Sequence, residues 1–485
     1  MANINIKLNK NFTTQWNKMV EKYGEEFLKL QGLDDDRLSY TDFIDGFIDA
    51  ENVANASIDA SPNVSQKDIV TMISEMSKPA QKLLAFHKIY YECQKKYGFK
   101  EANAIMESLW NYDLYLHDFN TSTFFDYCYA ADLRSLAEKG LFFVKGYHAE
   151  PPQHLDSFVQ MVMEWVSYLS RRSSGAIGIP NLIPYLYYFW QKDVEDGYYT
   201  QSPERYRDQQ CQALIYRLNQ NWVRGDQSAF TNVSVFDHPY FEAIFGDRTF
   251  PNGELMIDYE EEIVQFQKDF VALNNKIREK NVFTFPVLTA SLLFKDGHFV
   301  DEEFAKWACE ANLKWNLFNF FTDSTVNSLS NCCRLRNDIT DLYFNSIGGT
   351  ALEVGSVKVV TINLARLAYR ASSEQEMLVL VKEMTERALK VLDVVRSIIK
   401  RNVEKGLLPT YIYGLKNLSS QYVTTGINGV YEVMRTFGYT YQDELGNTYY
   451  DDRAYALGQK LFKTITNTGD MFCLDKDYKW NKEQV

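Results

Sequence analysis

Two adjacent thiols beside two guanidinium groups are the residues whose types and spacing best suit chemistry: Cys332-Cys333-Arg334-Leu335-Arg336. A vicinal pair closes a strained eight-membered ring only with difficulty, so a structural disulfide between them is disfavoured. The arginines favour a thiolate or hold an anionic substrate. One packed and one incidental cysteine is the plainer alternative. The string lies in residues 322–355, which lack clear periodicity and carry Gly348-Gly349. A loop this long inside a compact unit is usually functional. Taken alone, Cys128 reads as a packed core thiol.

The elements that must position this loop follow from hydrophobic patterning. Residues 1–75 are mixed and polar, with the acidic cluster Asp34-Asp35-Asp36. Residues 77–117 read as helical, with Ser77 and Pro79 as a start and Gly98 as a stop. Residues 154–224 form a second helical block, in which Phe158, Met161, Val162, Trp165, Val166 and Leu169 share a face. From about 226 the texture becomes alternating strands and helices. Strands are predicted at 230–236, 282–288, 356–364, 410–413, 422–426 and 471–474. Helices are predicted at 259–280, 301–318, from a capping box at Ser373-x-x-Glu376 towards Gly406, and at 453–466. Such alternation means a parallel sheet or an α/β barrel.

Composition bounds the rest. The chain has 485 residues, 46% apolar and 24% charged, with a formal charge of −13. That balance suits a globular protein and argues against a general nucleic-acid coat. Seven cysteines without a Cys-x-x-Cys pair argue against a secreted disulfide framework and an all-thiolate zinc site. With no apolar run near 18 residues and no apolar leader, a reduced cytosolic protein is expected. No P-loop, His-Glu-x-x-His or Gly-x-Ser-x-Gly occurs.

Ordered blocks carry a resemblance. Asn331-Cys332-Cys333-Arg334-Leu335, Gly348-Gly349-Thr350 and Val359-Val360-Thr361-Ile362-Asn363-Leu364 are similar to segments of the anaerobic (class III) ribonucleoside-triphosphate reductases. So are His117-Asp118, Tyr127 to Leu133, Glu150-Pro151-Pro152, Gln227 to Asn232, Phe283 to Pro286, and Thr425 to Gly429. The resemblance runs over about 40–485. It implies a ten-stranded α/β barrel of two five-stranded parallel halves, with a central finger loop at about 322–355 and an N-terminal helical layer. The implied domains are an extension at 1–75 without an ATP-cone, a helical dimerisation and allosteric layer with the first barrel elements at 76–225, and the barrel at 226–485.

The implied activity is reduction of ribonucleoside triphosphates by thiyl-radical chemistry in the cytoplasm, a host's cytoplasm where the gene is a phage's. Cys333 carries over as the thiyl site that abstracts the 3′-hydrogen. Cys128 carries over as the thiol on the opposite ribose face, protonating the leaving hydroxyl. Asn363 matches a family asparagine whose amide hydrogen-bonds the ribose or a formate co-reductant. Ser228, Thr231, Cys332, Arg334, Gly348 and Gly349 are candidate substrate-binding residues, although Ser228 and Thr231 equally suit strand-end backbone satisfaction. No metal ligand is assigned. Implied partners are a ribonucleoside triphosphate, an ATP or dNTP effector, a radical-SAM activase and a second copy in a homodimer, with neither membrane nor nucleic acid. The family continues past a segment like Asn481-Lys482-Glu483-Gln484-Val485 into a zinc module and an Arg-x-x-Gly-Tyr glycyl-radical site, which these residues do not contain. A split subunit receiving the glycyl segment in trans, an incomplete fragment, and an inactive nucleotide-binding remnant or dimeric regulatory fragment all stay open. A glycyl-radical lyase is a weaker alternative, disfavoured by the Cys128 block and the two arginines. Substrate preference, effector preference, and formate against a redoxin as reductant are not legible.

Overall fold

The computed structural model describes residues 7–51, 67–119, 123–220, 228–281, 283–326, 328–331, 335–338 and 352–484. A ten-stranded mixed sheet organises them. Its strands are β1 (Leu114–Leu116), β2 (Cys128–Ala130), β3 (Ile177–Gly178), β4 (Thr231–Phe236), β5 (Val287–Lys295), β6 (His298–Phe299) and β7 (Phe318–Asp323). A separate hairpin, β8 (Ser328–Asn331) and β9 (Leu335–Asp338), precedes β10 (Val354–Asn363), β11 (Gln421–Asn428) and β12 (Trp480–Gln484). Strands β2, β3, β4, β5 and β7 form one parallel set of five. Strands β10, β11 and β12 form a second parallel set. The sets meet antiparallel, where Cys128 pairs with Ser356 and Ala130 with Val354. Hairpin β8–β9 lies against β5 and β7 on one side and β10 and β12 on the other. The α/β architecture expected from the sequence is therefore the one adopted.

Two helical layers cover the sheet, one per set. The first core joins the helices Leu155–Ser170, Leu182–Glu195, Pro203–Leu218 and Glu260–Arg278 to β3, β4 and β5. The second joins Ile69–Tyr97, Phe99–Trp110, Glu374–Glu404 and Asp452–Cys473 to β10 and β11. The second core thus draws on residues from both sides of position 225. Strand β10 is buried along almost its whole length, as a strand covered on both faces must be, and this explains the near-continuous run Val-Lys-Val-Val-Thr-Ile.

Local signals succeed where capping chemistry is explicit. Ser202 caps the helix that Pro203 opens. The Ser373 side chain accepts from Glu376 N, while the Glu376 carboxylate reaches back to Ser372 N at 2.8 Å. Four expectations differ. Pro79 does not start a helix but lies inside Ile69–Tyr97, capped by Asp68. Proline leaves the carbonyl four residues back without its donor, and Arg37 fills that vacancy by donating to Glu75 O at 2.6 Å. The strand predicted at 282–288 is β5, shifted to Val287–Lys295. Residues 410–413 form a helical turn, Pro409–Ile412, and the strand predicted at 471–474 falls mostly in the last turn of Asp452–Cys473. In both places a short apolar run lacks the length to separate strand from helix. No described helix is long and apolar enough to cross a membrane.

Candidate active site

Strands β1 and β2 lie end to end along β10. Leu114 and Leu116 pair with Ile362 and Val360, and Cys128 and Ala130 with Ser356 and Val354. Residues 117–127 interrupt what would otherwise be one strand. The break faces Lys358, beside a register irregularity between Ser356 and Lys358 in the β10–β11 ladder.

Alternation along the strands separates a helix-facing side from an inner side. Tyr129, Ile177, Val233, Val235, Leu288, Ala290 and Leu292 belong to the first core. The opposite side carries Cys128, Asn232, Ser234, Thr289 and Ser291, and across the junction Ser356, Lys358 and Thr424. Cys128, Ala176, Tyr127 and Phe230 form a small apolar group apart from both large cores. The Cys128 sulfur accepts from Ala176 N at 3.2 Å. Gly175 permits this approach, because a Cβ there would lie 2.3 Å from the sulfur. Buried polar groups on this face are incompletely satisfied. Asn232 donates to Thr289 Oγ1 at 2.8 Å, while Asn232 Oδ1, Ser234 Oγ and Ser291 Oγ have no hydrogen-bond partner among the described residues. Unpaired buried polar atoms are costly unless something else meets them, so this face suits a polar ligand.

Two fully buried lysines flank the thiol. Lys416 pairs with Asp126 at 2.6 Å and donates to Ser173 Oγ. Burial lowers its pKa, and Asp126 opposes that. Lys358 donates to Asp118 O at 3.4 Å and stands 5.6 Å from the Tyr127 ring centre. Burial pushes its pKa down to about 7, against the opposing pull of Asp118 and Cys128. His117 Nε2 shares a 2.8 Å hydrogen bond with Thr361 Oγ1. Burial, with Lys358 adding to it, pushes the His117 imidazole down to about 4.

The expected site residues divide. Cys128 lies on the inner face at the junction of the two sets. Ser228 is buried in the approach to β4. Thr231 is buried but shares its side of β4 with Val233 and Val235, so alternation turns it to the helices, and its neighbour Asn232 takes the inner position. Asn363 lies seven residues beyond Ser356, roughly 23 Å along β10. Its Oδ1 accepts from Arg366 N at 3.2 Å, capping the helix Leu364–Arg370, and its amide donates to Tyr112 O at 3.2 Å. Both ends of the side chain are thus engaged with backbone. Cys332, Cys333, Arg334, Gly348 and Gly349 lie outside the described residues, the first three between β8 and β9. Sequence reasoning missed Lys358, Lys416, Asn232, Ser234 and Ser291. For Asn232, Ser234 and Lys358 the signal was present as polar residues inside strands that read as buried.

The family model of the anaerobic ribonucleoside-triphosphate reductases matches residues 77–485. Among solved structures, the anaerobic ribonucleotide reductase from Thermotoga maritima in complex with dATP and CTP is similar, with 32% identity and a TM-score of 0.87 over 99% of this chain and 77% of that one. The same enzyme with citrate in the active site gives 31% identity and a TM-score of 0.86 over 100% of this chain and 84% of that one. No curated protein matches the chain.

Proposed function

We propose, from the premise that the chain belongs to the anaerobic ribonucleoside-triphosphate reductase family, that it reduces ribonucleoside triphosphates to deoxyribonucleoside triphosphates with Cys333 as thiyl and Cys128 as the opposing thiol. The observation that carries this reading is the inner face of the sheet. It carries a buried thiol and, further along, unsatisfied polar groups, and the hairpin flanking 332–334 reaches both strand sets.

In this reading a glycyl radical, on a segment outside these 485 residues and generated by a radical-SAM activase, supplies the oxidising equivalent. Cys333 then removes the ribose 3′-hydrogen. Cys128 gives its proton to the leaving 2′-hydroxyl, which departs as water. Asn232, Ser234 and Ser291 orient the ribose and exclude alternative poses through hydrogen bonds that the protein itself leaves open. Formate or a dithiol supplies the two reducing electrons. Ser228, Cys332, Arg334, Gly348 and Gly349 line the substrate. A nucleotide effector and a homodimer belong to the same reading, supported by the relative that binds dATP and CTP.

The test is anaerobic turnover with activase, a glycyl-bearing polypeptide and formate or a dithiol. Wild type forms deoxyribonucleotide, and C333A and C128A each lose at least about a thousandfold, as removal of a reacting group does. Turnover surviving in C333A refutes the thiyl assignment. Nucleotide binding without turnover in any reconstitution refutes the enzymatic reading.

A further inference from the structure

Lys358 has no task in the reaction as just set out. It is inaccessible to solvent, donates to the Asp118 carbonyl, stands by the Tyr127 ring and feels the Asp118 charge, but makes no direct ion pair among the described residues. A buried ammonium without a carboxylate in direct contact is costly. Its place in the ladder supplies a compensating charge. Ser356 pairs with Cys128, and Lys358, two residues on and opposite the break in the neighbouring strand, interacts electrostatically with the sulfur.

Other charged groups lie nearby. From 117–127, His117 is held neutral near neutral pH and Asp118 lies beside Lys358. Beyond the thiol, the Lys416 charge is matched by Asp126, and Arg172 donates to Tyr168 O. On β11 and β12, Ser356 shares a hydrogen bond with Thr424, which in turn donates to Asn481. Of the two lysines that act on the sulfur, Lys416 is directly ion-paired to Asp126 and Lys358 has no direct ion pair among the described residues.

We infer that Lys358 is a positioning residue whose ammonium serves as the counter-cation of the Cys128 thiolate inside the sheet. The inference rests on the reading of Cys128 as a reacting thiol. In that step the S–H bond breaks and its proton goes to the leaving oxygen. The C2′–O bond breaks with its electron pair on that oxygen, and water departs. The 3′-hydroxyl proton of the substrate passes to a water molecule, and the S–H electron pair remains on sulfur. Without Lys358 that anion would form beside the apolar group of Ala176, Tyr127 and Phe230 with only the ion-paired Lys416 as a nearby cation.

The experiment is thiolate absorbance near 240 nm against pH in the full chain, with the C128A signal subtracted so that Cys128 alone contributes. The wild-type midpoint is expected at least about one pH unit below that of K358M, which is roughly tenfold more thiolate at neutral pH, and K358R is expected to keep the low midpoint. K358Q gives the same comparison should K358M not fold. An unshifted midpoint in the uncharged variants overturns the assignment, and so does K358R titrating like K358M. The two readings fail separately. Full turnover in C128A removes the reacting-thiol role without altering the titration, whereas an unshifted midpoint removes the Lys358 role and leaves Cys128 catalysis standing.

Discussion

The Asp126–Lys416 pair permits a quantitative test of how the site is held. Both side chains are fully buried, 2.6 Å apart, and Asp126 Oδ1 has no other partner among the described residues. Lys416 also donates to Ser173 Oγ and, at 3.5 Å, to Arg172 O. The two single substitutions are therefore unequal. K416M leaves a buried carboxylate with no cation and only the Tyr411 hydroxyl as a side-chain donor, whereas D126N leaves the ammonium two acceptors and keeps an amide oxygen in place. Removing one partner of a buried pair costs about 3–5 kcal/mol. For a chain of this length the unfolding entropy is about 1 kcal/mol per kelvin, so K416M should melt about 3–5 °C lower and D126N about half as far. The double variant D126N/K416M should recover most of the loss, because it leaves no uncompensated charge. The assay is a thermal melt by circular dichroism at one fixed scan rate, at low and at high salt. A buried pair is weakly screened, so the shifts should not depend on salt. A K416M melt within about 1 °C of wild type, or a double variant as unstable as the two losses combined, refutes the reasoning.

Three further outcomes are expected. G175A drives a methyl group into the Cys128 sulfur and costs about 1–3 kcal/mol; a wild-type melt with the sulfur unmoved in a crystal structure would show the contact to be soft. Burial pushes the Asp237 pKa from 3.8 up to about 6, so between those pH values the folded state binds more protons than the unfolded one and stability falls as pH rises. D237N should flatten that slope in melts taken from pH ~4.5 to ~7.5, and parallel pH courses for the two proteins contradict it. N363A should lose about 1 kcal/mol of stability and N363D should restore it, as for a helix cap; an N363D protein with wild-type stability but no turnover would return the amide to the chemistry.

Much of the fold was legible because parallel sheets and capped helices leave strong marks. The run at 356–364 and the caps at Ser202 and Ser373 fall where patterning puts them. The order of short blocks disclosed the family, although each block alone is weak. The rest depended on tertiary context. Pro79 reads as a helix start because its compensating partner, Arg37, is forty-two residues away in sequence. Thr231 and Asn232 differ only in parity, and which parity faces inward is decided by the neighbouring strands. Lys416 is an ordinary lysine in sequence, and nothing local says that it is dry.

The antiparallel junction also has a consequence for how the protein is made. The first core is almost wholly contained in residues 129–318 and is available early in synthesis. The helices Ile69–Tyr97 and Phe99–Trp110 emerge before it, yet the central strand of the core they share begins supplying side chains at Val357, about 240 residues after Leu116. At translation speeds of about 5–20 residues per second that interval is roughly 12–48 s. For that time the earliest helices carry an apolar face with no sheet to cover it, and the sulfur of Cys128 has no neighbouring cation.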